Sequence, residues 1–400
     1  MRNPTDDIEK LISNLDITPT MYYIATDRYQ TVANELSQRG IDANFYPQGS
    51  FRLGTVVRPF EKGEDKQFDL DAIGESVLSI EAIEPADLKY SFGKALESAP
   101  SLKPFLLPED KRCWTLDYKN EGFQLDIVPS VREIKGYIDS LIEKGVPFQF
   151  AEHAIAITHK NSKGQYTWCE SNPHGYGAWF DDINEPYLQI SRERHRKQIL
   201  KENRAFFSSI EEIPPILDRS SLQRVIQILK RHRDVFFASA SIVDEKIWDM
   251  RPISVIITTL CARIARNHIP TDDVLELLQR VAGELRAHSI LQEAENSLLF
   301  ESARERTFIR KFSGRWSIKN PVNPDDDYTD FWTSEHSRWF FKWLDAVYQD
   351  FFIDLDIDEK HHYSALKKAF GTKYVESTIP DSKQIAPKII TSGTKPYGIV

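Results

Sequence analysis

Cysteine is scarce in this chain: Cys113, Cys169 and Cys261 are an odd, widely spaced three with no Cys-x-x-Cys. That excludes a disulfide framework and a thiolate zinc site, and leaves buried thiols as the expected state. No apolar run approaches the ~20 residues that span a bilayer. The N-terminus carries Asp6, Asp7 and Glu9 where a signal peptide would be basic and then apolar. A cytoplasmic protein with no membrane association is expected. Positive charge is not in surplus either: 51 Lys and Arg stand against 60 Asp and Glu, a formal net charge of -9. A protein driven by long nucleic acids needs a basic surface to neutralise backbone phosphates. The nearest candidate, Arg192 to Arg204, is interrupted by Glu193 and Glu202 and reads as a solvated helix, with a local patch for triphosphates left open. Internal repeats and low-complexity tracts are absent.

What is present fits a globular chain of two or three domains: 400 residues, 41% hydrophobic and 28% charged, supply a substantial core. Thr5-Asp6-Asp7 caps a first helix through Ile8, Leu11, Ile12 and Leu15, and a second runs from about Met21 to Leu36. Ile41 to Gln48 reads as a strand, followed by a short helix or turn. Glu61 to Lys66 is a polar loop, and Ser91 to Leu96 is helical. From Ile190 onward helix follows helix, with Pro214-Pro215 marking the domain boundary.

The most informative stretch is Gln48-Gly49-Ser50-Phe51-Arg52, followed by Phe68-Asp69-Leu70-Asp71 and later by Phe123-Gln124-Leu125-Asp126-Ile127. Residues two apart in a strand share a face, so Asp69 and Asp71 project together while Phe68 and Leu70 enter a core. Cys113 to Val128 reads as a hairpin. Trp114 and Leu116 lie in its first strand, Lys119 to Gly122 turn, and Phe123, Leu125 and Ile127 alternate, so that Asp126 faces away from them. If these strands are neighbours, three carboxylates meet on one patch and their repulsion raises at least one pKa. A hard divalent cation removes that conflict. Magnesium prefers oxygen ligands and is bound by a few carboxylates plus substrate phosphates; two ions roughly 3.5 to 4 Å apart serve an in-line displacement. Gly49 lets backbone approach a phosphate, Ser50 offers a hydroxyl and an N–H, and Gln48 adds a side-chain donor. Each dipeptide alone is ordinary; the ordered set points to two magnesium ions, for which manganese can substitute, beside a nucleoside triphosphate.

These residues resemble the core of the cGAS/DncV-like nucleotidyltransferases (CD-NTases), bacterial synthases of cyclic oligonucleotide signals. The similarity runs through Pro47 to Phe51, Thr55, Arg58-Pro59-Phe60, Asp69-Leu70-Asp71 and Leu125 to Pro129. It continues in Trp168 to Pro173, Trp179-Phe180, Leu222 to Asp234, Arg251 to Val255 and Asn320 to Pro324, covering roughly residues 40 to 375. The resemblance implies an α+β fold. A Pol β-like mixed-sheet lobe would be joined to an all-helical OAS/cGAS-like lobe, with the active site between them. The expected division is 1–212 for the nucleotidyltransferase core with its N-terminal helices, 213–375 for the helical domain and 376–400 for a mobile tail rich in Ser, Pro and Gly. Leu222, Val225, Ile226, Leu229 and Phe236 form an apolar stripe with Lys230 on its flank and Arg224 and Arg231 opposite. By itself Lys230 reads as a snorkelling side chain; the resemblance makes it the lysine that holds the donor triphosphate, and Ser254 a serine reaching the same phosphates.

The implied reaction joins ATP and a second triphosphate such as GTP into a cyclic di- or trinucleotide, releasing pyrophosphate. The implied partner is a product-sensing effector protein of a CBASS antiphage system. In some relatives the C-terminus is conjugated by a ubiquitin-transfer-like partner. Nucleic acid is not expected as an activator. The alternatives on the same fold are a template-independent RNA nucleotidyltransferase, a nucleotidyl-transferring toxin or an inactive sensor; the last is disfavoured because all three carboxylates are present. His153, His159 and His361-His362 lack ligand-spaced partners, Asp325-Asp326-Asp327 reads as an exposed run, and the eight Trp as packing residues. Tyr176 is a candidate to stack on a base.

Overall fold

The computed structural model describes residues 4–61, 63–202, 218–290, 308–312, 314–356 and 358–383. Two helices come first, α1 (Pro4–Leu15) and α2 (Pro19–Gln38). Pro19 opens α2 where no backbone N–H is required, and the Thr18 hydroxyl accepts from the Met21 N–H. Strand β1 (Ala43–Gln48) runs into the single-turn helix α3 (Gly49–Arg52), then the small hairpin β2 (Phe60–Glu61) and β3 (Glu64–Asp65), and the long strand β4 (Phe68–Ser79). Helix α4 (Pro85–Ser98) precedes β5 (Trp114–Tyr118) and β6 (Phe123–Arg132), whose turn Gly122 closes with φ +83°. Helices α5 (Lys135–Glu143) and α6 (Phe148–Ala151), strands β7 (Ile155–Lys160) and β8 (Tyr166–Ser171), and helix α7 (Pro173–Glu202) complete this half.

Six strands form one mixed sheet in the order β1-β4-β6-β7-β8, with β5 alongside β6. Only β4 and β6 run parallel. The far edge of β6 is shared: β5 pairs with residues 123–127 and β7 with residues 130–132. Alternation in β4 sends Phe68, Leu70 and Ala72 into a core with Leu88, Phe92 and Leu96 of α4 and with α2. Burying Phe68 or Leu70 contributes roughly 1.5–3 kcal/mol. This packing fixes which face of β4 is left for its aspartates.

The second half begins with α8 (Ser221–Ala240), opened by a capping box between Ser220 and Gln223. Helices α9 (Ser254–Arg266) and α10 (Val274–Ile290) follow, then strands β9 (Arg310–Phe312), β10 (Arg315–Ser317), β11 (Lys319–Asn320) and β12 (Asn323–Asp327), and helices α11 (Ser334–Phe352), α12 (Glu359–Phe370) and α13 (Thr372–Thr378). The lobe expected to be all-helical therefore holds two short ladders, β9–β10 and β11–β12. Gly314 turns the first at φ +79°, and Pro324 with its run of Asp is a poor helix former.

Packing cuts across the sequence order. Ile8, Leu11 and Leu15 of α1 and Trp179, Phe180 and Tyr187 of α7 join the core built by α8 to α13, although both helices precede residue 212. Pro214-Pro215 itself lies outside the described residues. Helix α8 departs from the amphipathic pattern expected of it, with 15 of its 20 residues buried. Arg231 is not on a solvated face: it pairs with Asp65 at 2.6 Å, donates to the Phe370 carbonyl and lies over the Phe60 and Tyr374 rings. Arg224 pairs with Asp16 at 3.3 Å. Acidic partners distant in sequence make this burial tolerable.

Other expectations resolve locally. Asp325 and Asp326 are exposed, but Asp327 is buried and accepts from Ser317, Thr329 and the Ile318 N–H, which hold its carboxyl at about 2 against the effect of burial. His361 pairs with Asp358, buried His362 with Asp7, and His153 stacks on His174. Arg192 pairs with Asp218, and Arg194 with Glu9 and Asp272; the side chains of that basic stretch from residue 195 on lie outside the described residues. The segment expected to be a tail starts as packed structure: α13 runs to Thr378 and Ile379 is buried, while residues from 384 lie outside the described set. Among the described residues no helix is long and apolar enough to cross a membrane.

Candidate active site

Strand register brings the three aspartates together. Parallel pairing sets Asp71 opposite Asp126 and Asp69 opposite Gln124. Antiparallel pairing sets Gln48 opposite Asp71, so the Gly-Ser turn begins beside the carboxylates. On β5, Thr115 lies opposite Asp126 and donates its hydroxyl to Asp126 Oδ1 at 2.5 Å. Burial and then the neighbouring charges of Asp126 and Asp69 push the Asp71 carboxyl up to about 7, outweighing the attraction of Lys230. Asp69 is raised by burial and by Asp126. Asp126 is raised by burial, opposed by hydrogen bonds from Thr115 and Cys113.

A carboxyl raised by its acidic neighbours, as Asp71 is, matches a site for hard cations. Among the described residues no three His, Cys, Asp or Glu side chains close on a common metal position as they lie, and Asp126 is turned to Thr115. Magnesium needs only one or two carboxylates when phosphates complete its shell, so an Asp69/Asp71 pair with Asp126 alongside fits the group.

A raised carboxyl makes a signed prediction for the metal-free protein. From about 4 to 7 the native state keeps the Asp71 proton that the unfolded chain releases, so stability falls as pH rises through that window and stays low above it. Asp71→Asn is expected to raise the melting temperature of metal-free protein at pH 8 by about 2 °C or more, with the gain vanishing near pH 4. A lower melting temperature at pH 8 would contradict the crowding.

Gly49 adopts φ +62°, and a Cβ there would stand closer than 3.0 Å to Asp71 Oδ2. Only glycine fits both the backbone and the carboxylate beside it. Ser50 follows in α3, and both line a cavity of about 410 Å³ with Gln48, Asp69 and Asp71.

The opposite wall comes from the helical half. Lys230 is 4% exposed and donates to the Thr55 carbonyl at 2.9 Å. Burial and then Arg233 bring its ammonium down to about 7, while Asp234, Asp71 and Asp69 act the other way. Ser254 opens α9 and lines the same cavity, its Oγ accepting from Arg233 at 3.1 Å. Thr55, buried beside Lys230, leaves its own hydroxyl without a partner. Tyr176 lies at the cavity edge but bonds Thr259 through its hydroxyl at 2.8 Å and is nearly buried. Every residue expected at the site lines this cavity except Asp126, which adjoins it through Asp71. Arg233 escaped the sequence; its only signal was its spacing, one helical turn past Lys230. A larger cavity of about 1220 Å³ lies between the end of α8, α12 and β2. It contains none of the expected residues, and its Lys367 and Lys368 are matched by Glu376, Asp350 and Asp354.

No protein-family model matches the chain. In structure it is similar to CdnG, a CD-NTase of Bradyrhizobium diazoefficiens solved in complex with GTP, at a TM-score of 0.65 and 22% identity over 96% of this chain and 100% of that one. Vibrio cholerae DncV, a cyclic AMP-GMP synthase solved with the linear intermediate pppA(3',5')pG, aligns at a TM-score of 0.51 and 15% identity, covering 83% and 68%. Among curated proteins, a c-di-GMP synthase of Roseivirga ehrenbergii is 24% identical over 335 residues, 82% of this chain and 73% of that one. The chain shares the fold of the CD-NTases. The cyclic dinucleotide synthase CdnG of B. diazoefficiens is 25% identical over 324 residues, 78% of this chain and 70% of that one. Within that fold its cavity lies between a carboxylate sheet and a basic helix.

Proposed function

We propose that this chain is a CD-NTase, a nucleotidyltransferase that joins two ribonucleoside triphosphates into a cyclic dinucleotide and releases pyrophosphate, with GTP among its substrates. The observation that carries this is the facing of Asp69 and Asp71, with Asp126 paired beside Asp71, by Lys230 and Ser254 across one nucleotide-sized cavity. The guanine nucleotide rests on the relatives, one a c-di-GMP synthase and one solved with GTP.

Asp69, Asp71 and Asp126 are the residues that would hold divalent ions, which when bound supply charge neutralisation for the attacking and leaving oxygens. Gly49 admits the triphosphate to the backbone, and Gln48 and Ser50 donate to it. Lys230 and Ser254 place positive charge and a hydroxyl on the donor phosphates, leaving the α-phosphate in line with an acceptor ribose hydroxyl. A second pass, in which the linear product turns and its free hydroxyl attacks its own triphosphate, closes the ring.

Incubation with all four triphosphates and magnesium, followed by phosphatase and mass determination, tests the proposal. A resistant cyclic dinucleotide containing guanine supports it; extended RNA or a labelled macromolecule would replace it with the template-independent polymerase or toxin. Lys230→Ala is expected to raise the donor KM at least about tenfold, with a smaller change in kcat, because its charge meets the phosphates; an unchanged KM would leave it a packing residue. The proposal extends to antiphage signalling through a product-sensing effector: the purified product should activate an effector encoded beside this gene.

A further inference from the structure

We propose that Arg233 is a positioning residue for the donor nucleotide, holding the Ser254 hydroxyl so that its hydrogen is directed at the triphosphate. This rests on the placement of the donor phosphates at Ser254 proposed above. Arg233 lies one turn beyond Lys230 on α8, so both side chains leave the same side of the helix. Its guanidinium is fixed on several sides. Nε donates to Asp234 Oδ1 at 2.8 Å and Nη2 meets the same carboxylate at 2.6 Å. Nη1 donates to the Pro252 carbonyl at 3.0 Å and to Ser254 Oγ at 3.1 Å. Asp234 is held in turn by the Phe60 N–H at 3.4 Å and is 2% exposed.

A serine hydroxyl carries one hydrogen and two acceptor sites, whereas arginine only donates. An Arg233 N–H filling one acceptor site therefore forbids Ser254 from turning its hydrogen that way. Thr258 donates to the Ser254 backbone carbonyl and leaves the side chain alone. The hydroxyl that lines the cavity is thus preset as a donor toward an anion, and the adjacent guanidinium strengthens it as a charge-assisted relay. A purely structural Arg233, tying α8 to the turn before α9 through Pro252, would affect stability without acting through Ser254.

Lys230 offers a second readout. It is faced by Arg233 and Asp234 on its own helix and by Asp69 and Asp71 on β4. Loss of the Arg233 charge removes a cation that disfavours the protonated ammonium, so donor affinity should persist to higher pH.

The test is a double-mutant cycle on the full chain, with donor KM and kcat measured in magnesium. Arg233→Gln is expected to raise KM about tenfold with kcat within about threefold, and to move the alkaline limb of 1/KM upward. Arg233→Lys should recover part of the loss. Ser254→Ala should raise KM comparably, and combining it with Arg233→Gln should add less than about twofold. A KM for Arg233→Gln within about twofold of wild type, or full multiplication of the two effects, would overturn the relay. Should Arg233→Gln fail to fold, Arg233→Lys alone and with Ser254→Ala runs the same cycle. A Ser254→Ala variant with unchanged KM would show that the phosphate placement fails, and the relay with it; a weakened Ser254→Ala beside a normal Arg233→Gln sinks the relay alone.

Discussion

Asp69→Asn combined with Asp71→Asn is expected to abolish nucleotidyl transfer, with pyrophosphate release falling at least about 10³-fold. Charge stabilisation by ions at such a site is worth several kcal/mol of barrier, and each 1.36 kcal/mol is a factor of ten. The amides keep the shape of the strand face while removing two of its three charges. Unfolding would not account for the loss, because Asp71 carries a carboxyl raised to about 7 in the metal-free state and its neutral replacement relieves that crowding. Labelled ATP and GTP turnover, read beside a melting curve, checks both halves. Undiminished turnover would remove the carboxylates from catalysis; a collapsed melting curve would make them structural.

Gly49→Ala is the second large effect. Its φ of +62° costs a residue with a Cβ roughly 1–2 kcal/mol. The added methyl also lands against Asp71 Oδ2, and that carboxylate must swing off its face. The expected outcome is a loss of about 100-fold or more in kcat, the scale of losing one preorganised electrostatic contact, with a melting temperature only a few degrees lower. Near wild-type kcat would show that Asp71 can move without consequence.

The strand carboxylates and the Gly-Ser turn were legible because a two-residue repeat leaves no choice: once Phe68, Leu70 and Phe123, Leu125 go inward, Asp69, Asp71 and Asp126 go outward. The hairpin announced itself through Gly122. Lys230 was different. Its stripe was visible, but its direction came only with the family resemblance, since snorkelling and ligand binding share one pattern. Helix α8 defeated periodicity because its polar residues find partners far along the chain: Arg224 with Asp16, Arg231 with Asp65 and His232 with Asp350. Asp327 misled for the same reason, since Ser317 and Thr329 satisfy it in a place where composition suggests solvent. The boundary drawn near residue 212 missed that α1 and α7 pack with helices that come later.

Helix α1 completes its contacts only against helices far along the chain. Asp7 meets His362 across 355 residues and the Leu11 carbonyl takes the Tyr374 hydroxyl. At about 5–20 residues per second of synthesis, α1 waits roughly 20–70 s for these partners, the nearer of them 355 residues further on. The sheet can mature meanwhile, but the cleft wall bearing Lys230 is finished last, so a nascent chain cut short before residue 362 would display its carboxylate face with no completed counterpart to grip a nucleotide.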